Sequence, residues 1–164
     1  MKIAKIETGR IVVALKKPFK TALRTVTDID NVVVRVTADN GLAGYGEAAQ
    51  TAVITGDTTG SIRWAVKEVI APSLIGLEIE NLEEIMLRLD RCMVKNSSAK
   101  AAVDIAVYDL YGQLVQMPLY KLWGGYRNSL TTDITISVND SEQMAQDSLE
   151  AVRLGYDVLK IKVG

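Results

Sequence analysis

The end of the sequence alternates strand, helix and strand patterns, and this constrains the fold more than any other feature of the chain. Residues 132–138 have the pattern of a strand, residues 141–154 that of a helix capped by Ser141, and residues 158–163 that of a second strand. Two strands joined through a helix are normally parallel, with a right-handed crossover. We therefore expect the end of the chain to contain two parallel strands joined by a helix.

The beginning of the chain predicts an antiparallel meander of three strands. Residues 2–15 and 31–38 are rich in β-branched residues, and residues 42–48, with Tyr45 and two glycines, are expected to form the third strand. Asp39-Asn40-Gly41 between the last two strands is a hairpin signal. Residues 16–30 contain a proline, several threonines and little periodicity, and we expect them to form a loop.

Helical spacing replaces the strand pattern after residue 60. We expect one helix from Ser61 to Pro72 and a second behind the capping residue Asn81. We expect a third from Ser97 or Ser98 and a short fourth at Pro118. The third carries small or apolar residues on its packing faces: Ala101, Ala102, Ile105, Ala106, Asp109 and Gly112. With the meander, these helices predict an α+β domain spanning residues 1–125.

Composition excludes several functions. The chain has 164 residues and no histidine, which excludes a Ser-His-Asp triad, His-ligated zinc and a histidine base within it. Its net charge is −1 without a basic block, so we expect no nucleic-acid partner. The apolar stretches are too short to span a bilayer, and Met1 does not open a signal peptide. A single Cys92 is consistent with a reducing cytoplasm.

Two lysines, Lys160 and Lys162, alternate with apolar residues on the last predicted strand and should point to one face. In isolation, such a pair is more often part of a solvated strand face. In a barrel, however, the carboxyl ends of the strands face the active site. Two crowded ammonium groups there favour the neutral form of one of them, which can act as a general base.

A lysine base alone is insufficient for a weak carbon acid. Removing a proton next to a carboxylate creates an enolate dianion, whose charge is typically held by a divalent metal. A carboxylate cage for such a metal is not evident. The acidic candidates are scattered over unlike elements: Asp39, Glu47, Asp57, Asp104, Asp109 and Asp133.

Several motifs together resemble one family. They are Lys17-Pro-Phe-Lys-Thr-Ala-Leu-Arg24, Gly44-Tyr-Gly-Glu47, Ile54-Thr-Gly-Asp57, the helix from Ala99 to Asp109, Pro118-Leu-Tyr-Lys-Leu-Trp-Gly-Gly125 and Leu159-Lys-Ile-Lys-Val-Gly164. Across essentially its whole length, the chain resembles the N-terminal part of the muconate-lactonising subgroup of the enolase superfamily. The resemblance implies that residues 1–125 are a capping domain and that residues 126–164 are the first two strands of a βα barrel of the TIM type. The Ala-Leu-Arg and Ile-Thr-Gly-Asp loops are most similar to those of dipeptide epimerases acting on L-Ala-D/L-Glu.

The resemblance implies catalytic and substrate-binding roles. Lys162 would exchange the α-proton from one face, while Lys160 would favour its neutral form and touch the substrate carboxylate. Arg24, in a loop over the barrel mouth, would pair with a substrate carboxylate, for which its planar fork is suited. A plain surface arginine is the alternative for Arg24.

The resemblance also implies lesser substrate contacts and a cofactor. Ile54 and Thr55 would shape the pocket from a second capping loop, and Thr135 would donate a hydrogen bond to the dipeptide, unless it is an ordinary strand threonine. Magnesium is implied, with its three carboxylate ligands, the opposing lysine base and the acidic residues for the substrate ammonium expected downstream of Gly164.

The expected whole is thus a cytoplasmic, magnesium-dependent isomerase that inverts the glutamate α-carbon of L-Ala-D/L-Glu dipeptides in peptidoglycan turnover. The chain is expected to be the front part of that larger enzyme and inactive alone. Two parallel strands cannot close a barrel, so we expect a homo-oligomer or a complementing chain to cover them. The alternatives are a muconate-type cycloisomerase, a succinylbenzoate synthase, and a non-catalytic, self-assembling capping domain.

Overall fold

A computed structural model describes residues 1–163, which divide into two compact units. The first comprises Met1–Val12 and Asp30–Gly125, and the second comprises Val13–Ile29 and the residues from Tyr126 onward. The expected division into residues 1–125 and 126–164 has the same break after Gly125 but includes 13–29 in the first domain, and it stays a prediction.

Twelve elements follow one another along the described chain. They are β1 Ile3–Lys20, β2 Thr25–Ala38, β3 Ala43–Ala49, α1 Thr59–Trp64, a π-helical segment Ala65–Ile70, α2 Ala71–Leu74, α3 Leu82–Arg91, α4 Ser97–Leu114, α5 Leu119–Leu122, β4 Ile134–Ile136, α6 Ser141–Arg153 and β5 Leu159–Ile161.

The expected three-stranded meander is confirmed. The sheet has the order β1-β2-β3, and β2 pairs antiparallel with β3 so that Val34 lies opposite Gly46. Gly41 adopts a φ of 89° in the turn between them, a conformation that glycine reaches without steric cost. Val32, Val34 and Val36 alternate along β2 and are fully buried, which makes one face of this strand part of the core.

The expected loop at residues 16–30 is wrong. β1 continues to Lys20 and β2 begins at Thr25, so only Thr21–Arg24 form a turn. Pro18 does not prevent this, because β1 lies at the edge of the sheet, where a strand residue can lack a paired N–H group.

The third predicted helix, which is α4 in the structure, packs closely against β3. Gly44 and Gly46 face the α4 backbone, and a Cβ atom on either would collide with it. Ala102 and Ala106 are fully buried at this contact, as their small size predicts. Ala101 and Ile105, also expected on packing faces, are instead exposed, because the buried stripe of α4 runs through residues 99, 102, 103, 106, 107 and 110.

The first two predicted helices differ from expectation at their ends. The first begins at Thr59 rather than Ser61, because Thr58 and Ser61 form a reciprocal capping box. It continues to Leu74 rather than stopping at Pro72, since a π-helical segment precedes the proline and alters the hydrogen-bond pattern there. Asn81 does occupy the N-cap position of α3, although its side chain makes no capping hydrogen bond.

The second unit contains the expected strand-helix-strand order. β4 and β5 pair in parallel, which confirms the prediction from the crossover. The cap of α6 is Asp140 rather than Ser141, since the Asp140 side chain accepts a hydrogen bond from the Gln143 N–H group. Gly155, with a φ of 92°, follows the helix at its carboxyl end. Between residues 1 and 163, no helix is both long and apolar enough to cross a membrane.

Candidate active site at the carboxyl ends of β4 and β5

The parallel pair β4–β5 brings three predicted site residues onto one face. Thr135 is the register partner of Lys160, and the Lys162 N–H group donates to the Ile136 carbonyl at 3.1 Å. Register partners of a parallel pair share a face, and Lys162 follows Lys160 by two residues. Thr135, Lys160 and Lys162 therefore project on the same side, whereas Ile136 is buried on the other.

The two lysines are not equally exposed. Lys162 and Thr135 are half-buried, while the Lys160 side chain is exposed. The three groups supply two amines and a hydroxyl within one strand pair, a set that can exchange a proton and contact an anionic substrate.

Arg24 closes a tight turn at the tip of the β1–β2 hairpin. The Thr21 N–H group donates to the Arg24 carbonyl at 2.9 Å. The Thr21 hydroxyl oxygen accepts from the N–H groups of Leu23 and Arg24, at 3.3 and 3.2 Å. Such side-chain bonds to nearby backbone are typical of turn threonines. Arg24 is half-buried, and Leu23 beside it is 72% exposed.

Hydrogen bonds join the base of this turn to the carboxyl end of β4, within the second unit. The Lys20 carbonyl accepts from the Val138 N–H group at 3.3 Å, and the Lys20 N–H group donates to the Ser137 hydroxyl at 3.3 Å. The Lys20 ammonium group donates to the Asn139 side-chain carbonyl at 2.8 Å. Because the turn follows Lys20 directly, Arg24 is attached near the carboxyl end of β4, the strand that carries Thr135.

The hairpin arm consists of Val13–Ile29, the parts of β1 and β2 that lie in the second unit. In this arm, the Lys17 ammonium group contacts the carboxylates of Asp147 and Glu150 on α6. The hydrogen bond to Glu150 raises the pKa of Lys17. A cavity of about 730 Å³ lies between the arm, β4 and α6. Thr135 is among its lining residues, whereas Lys160 and Lys162 are not.

The second predicted capping loop lies in the first unit, between β3 and α1. Ile54 is 64% exposed at its tip, and the Thr55 hydroxyl contacts both the Thr51 hydroxyl and the Asp57 carboxylate at 2.8 Å. Both predicted residues therefore belong to one hydrogen-bonded loop.

The acidic residues of the described part of the chain do not gather into one cluster. Among residues 1–163, no group of three or more acidic or cysteine side chains is arranged to hold a metal ion. The acidic residues make other contacts: Asp109 accepts from the Tyr45 N–H group at 2.9 Å, and Asp30 forms a two-bond ion pair with Arg10. This pairing lowers the pKa of the Asp30 carboxyl.

Thr21 and Asp57 each lie in one of the sequence motifs described above, but neither has a predicted role. Thr21 precedes Arg24 by three residues, the spacing at which a threonine side chain can bond the backbone of a turn. Asp57 closes the Ile54-Thr-Gly-Asp57 motif, and its burial could not be inferred from sequence because it depends on contact with α4.

Comparison with known proteins identifies the family. Residues 5–124 match the N-terminal domain described as mandelate racemase / muconate lactonizing enzyme. The chain is 56% identical over 164 residues to an L-Ala-D/L-Glu epimerase from Clostridium acetobutylicum, covering all of this chain and 46% of that protein.

Solved structures agree. A substrate-liganded complex of the L-Ala-D/L-Glu epimerase from Bacillus subtilis matches with a TM-score of 0.97 at 49% identity, over 99% of this chain and 45% of that one. A dipeptide epimerase from Enterococcus faecalis V583, complexed with Mg and L-Leu-L-Tyr, matches with a TM-score of 0.95 at 41% identity, over 100% and 46%.

The fold and the sequence match thus define an N-terminal capping domain of the enolase type. The chain belongs to the mandelate racemase / muconate lactonizing enzyme family. The expected resemblance to dipeptide epimerases is confirmed. The chain spans slightly less than half the length of these relatives.

Proposed function

We propose that this chain is the N-terminal part of a dipeptide epimerase that inverts the glutamate α-carbon of L-Ala-D/L-Glu-type dipeptides. The observation that carries the proposal is the grouping of Thr135, Lys160 and Lys162 on one face of a parallel strand pair, with the Arg24 turn attached at its carboxyl end. The similarity to two proteins named L-Ala-D/L-Glu epimerase supports the choice of substrate.

In the proposed reaction, the neutral amine of Lys162 removes the α-proton from one face of the substrate. A protonated group contributed from outside this chain donates a proton to the opposite face, which inverts the carbon. Lys160 contacts the carboxylate next to the reacting carbon.

The remaining predicted residues hold the substrate. Arg24 pairs with a carboxylate of the dipeptide through its planar fork, and the exposed neighbour Leu23 offers apolar contact. Thr135 donates a hydrogen bond to the dipeptide, and Ile54 and Thr55, in their own loop, are further substrate contacts. A magnesium ion, which accompanies the Enterococcus faecalis relative, would be held by residues outside this chain.

Exposed apolar side chains in the second unit support a covering partner. Leu149, Val152 and Leu154 on and after α6 are 59%, 56% and 70% exposed, and Ile161 and Val163 at β5 are 48% and 84% exposed. We propose that further barrel strands, or another chain, cover these surfaces in a cytoplasmic enzyme of cell-wall peptide turnover. The 164-residue chain alone is then expected to be inactive.

Exchange of the substrate α-proton tests the proposal. The full-length protein is incubated with magnesium and L-Ala-L-Glu in D₂O, and deuterium at the glutamate α-carbon is followed by NMR together with the appearance of the D-Glu epimer. We expect Lys162→Ala to abolish epimerisation, with Lys16→Ala, a lysine of the hairpin arm that is distant in sequence, as control. Absence of epimerisation by the unmodified protein would reject the proposal.

A further inference from the structure

Asp57 is the only charged residue that is buried among residues 1–163, with 7% of its surface exposed. A buried carboxylate is costly unless hydrogen bonds replace its water. Its Oδ2 atom accepts from the hydroxyl groups of Thr55 and Ser98, at 2.8 and 2.7 Å. Asp57 is therefore satisfied by one partner in its own loop and one on a separate helix.

The contact with Ser98 joins the loop to the beginning of α4. Ser98 is the second residue of this 18-residue helix. A negative charge is stabilised beside a helix N-terminus, where the peptide dipoles leave a partial positive charge. The carboxylate is thus suited to this position, and it links the loop to an element whose other side packs against β3.

Further bonds close the loop around Thr51. The Thr51 N–H group donates to the Asp57 carbonyl at 3.1 Å, and the Thr51 carbonyl accepts from the N–H groups of Ile54 and Thr55 at 2.8 and 2.9 Å. Thr55 is consequently held by its backbone to Thr51 and by its side chain to Asp57.

The tip of the loop remains in solvent although it is apolar. Val53 and Ile54 are 61% and 64% exposed. Burial of these side chains therefore does not fix the loop, and the polar bonds through Asp57 are the contacts that order it. An exposed apolar tip on a rigid base is suited to binding an apolar part of a ligand.

We propose that Asp57 is a positioning residue for substrate binding. Through Thr55 and Ser98 it fixes the loop of residues 51–57, so that Ile54 and Thr55 are presented to the dipeptide in one conformation. This role deepens the proposed epimerase function and rests on it. If Asp57 has this role, a looser loop weakens substrate binding more than a looser loop slows proton transfer.

The variants Ser98→Ala and Asp57→Asn in the full-length protein test this role, with L-Ala-L-Glu as the substrate. Ser98→Ala removes one hydroxyl donor, and Ser98→Thr retains it. Ser97→Ala, at the exposed neighbouring residue, is the matched control. We expect Ser98→Ala and Asp57→Asn to raise KM by about tenfold, as loss of a bond to a charged group allows, with kcat within about twofold. Ser98→Thr and Ser97→Ala should leave both constants unchanged.

Amide hydrogen exchange gives a readout that does not depend on turnover. In Ser98→Ala, exchange at the Ile54 and Thr55 amides should accelerate by about tenfold, while the amides in the middle of α4 keep their wild-type rates. Unchanged KM and unchanged loop exchange in both variants would overturn the role of Asp57. Acceleration throughout α4 together with a lower kcat would also overturn it, since Asp57 would then only stabilise the fold.

Failure of the proposed function is a separate outcome. If the wild-type protein does not epimerise the dipeptide, the substrate part of the inference fails with the proposed function. The exchange comparison still decides whether Asp57 fixes the loop, because it needs no substrate.

Discussion

Replacing Gly46 with alanine should disrupt the contact between β3 and α4. A Cβ atom at this position would lie 2.9 Å from the Ala102 carbonyl carbon and 3.0 Å from the Ala106 nitrogen, and closer still to the Ala102 carbonyl oxygen. All three are backbone atoms, so no side-chain rotation can relieve the collision. The helix and the strand must separate instead, which loosens the packing around the fully buried Ala102 and Ala106 of α4.

The cost follows from the rigidity of those neighbours. Adding a methyl group to a packed core typically costs about 1–3 kcal/mol, and a collision with backbone belongs at the upper end, near 3 kcal/mol. For a chain of this size, 1 kcal/mol corresponds to a Tm change of about 2–4 °C. Gly46→Ala should therefore lower the Tm by about 6–12 °C.

Gly9→Ala is the matched control for this measurement. Gly9 lies on β1, and a Cβ atom there would have no neighbour within 4 Å. Its replacement should be neutral or slightly stabilising, because alanine restricts the unfolded chain. Thermal unfolding of the three proteins is followed by circular dichroism. If Gly46→Ala and Gly9→Ala melt within about 2 °C of each other, the close approach of β3 and α4 is refuted.

Three further predictions concern the site and the pH dependence of stability. In the full-length protein, Arg24→Met should weaken dipeptide binding by about 2–5 kcal/mol, as expected for the loss of one partner of a buried charge pair. If calorimetry shows an affinity within twofold of wild type, a cycloisomerase is favoured instead. Thr21→Val keeps the shape of the side chain but removes the hydroxyl that bonds the Arg24 turn, so it should weaken dipeptide binding by about 1 kcal/mol. Thr21→Ser keeps the hydroxyl and should not weaken binding. Equal affinities for the two variants would contradict this role of Thr21. Burial raises the pKa of the Asp104 carboxyl, so the folded chain binds this proton more tightly than the unfolded chain and loses stability as the pH rises through the interval between the two pKa values. Asp104→Asn should accordingly raise the Tm of the chain at pH 7 but not at pH 3, and equal shifts at both pH values would contradict the assignment.

Local patterns predicted the type of most elements, whereas their ends depended on contacts made elsewhere. The valines of β2 and the turn before β3 carried enough information to predict the meander. The extension of β1 to Lys20 did not follow from residues 16–30, because a proline and several threonines also fit a loop. Its strand conformation depends on pairing within the hairpin, which local composition does not report.

The candidate site divides in the same way. The parallel arrangement of β4 and β5 followed from the βαβ pattern, and with it the common face of Lys160 and Lys162. The register that sets Thr135 opposite Lys160 did not follow, since it depends on how α6 returns the chain to the sheet. The bonds of Asp57 to α4 join residues 41 positions apart and had no local signal.

The strength of the contacts between the hairpin arm and the βαβ unit decides what holds Arg24 in place. The ion pairs of Lys17 with Asp147 and Glu150 involve a lysine side chain that is 66% exposed, and such surface pairs contribute about 0–1 kcal/mol and weaken with salt. The bonds of Lys20 to Val138 and Ser137 instead use backbone groups next to the turn. These bonds depend little on ionic strength, because none of the groups carries a net charge. The turn should therefore stay at the carboxyl end of β4 when salt screens the Lys17 pairs, so that salt acts on Arg24 mainly through its own attraction to a carboxylate.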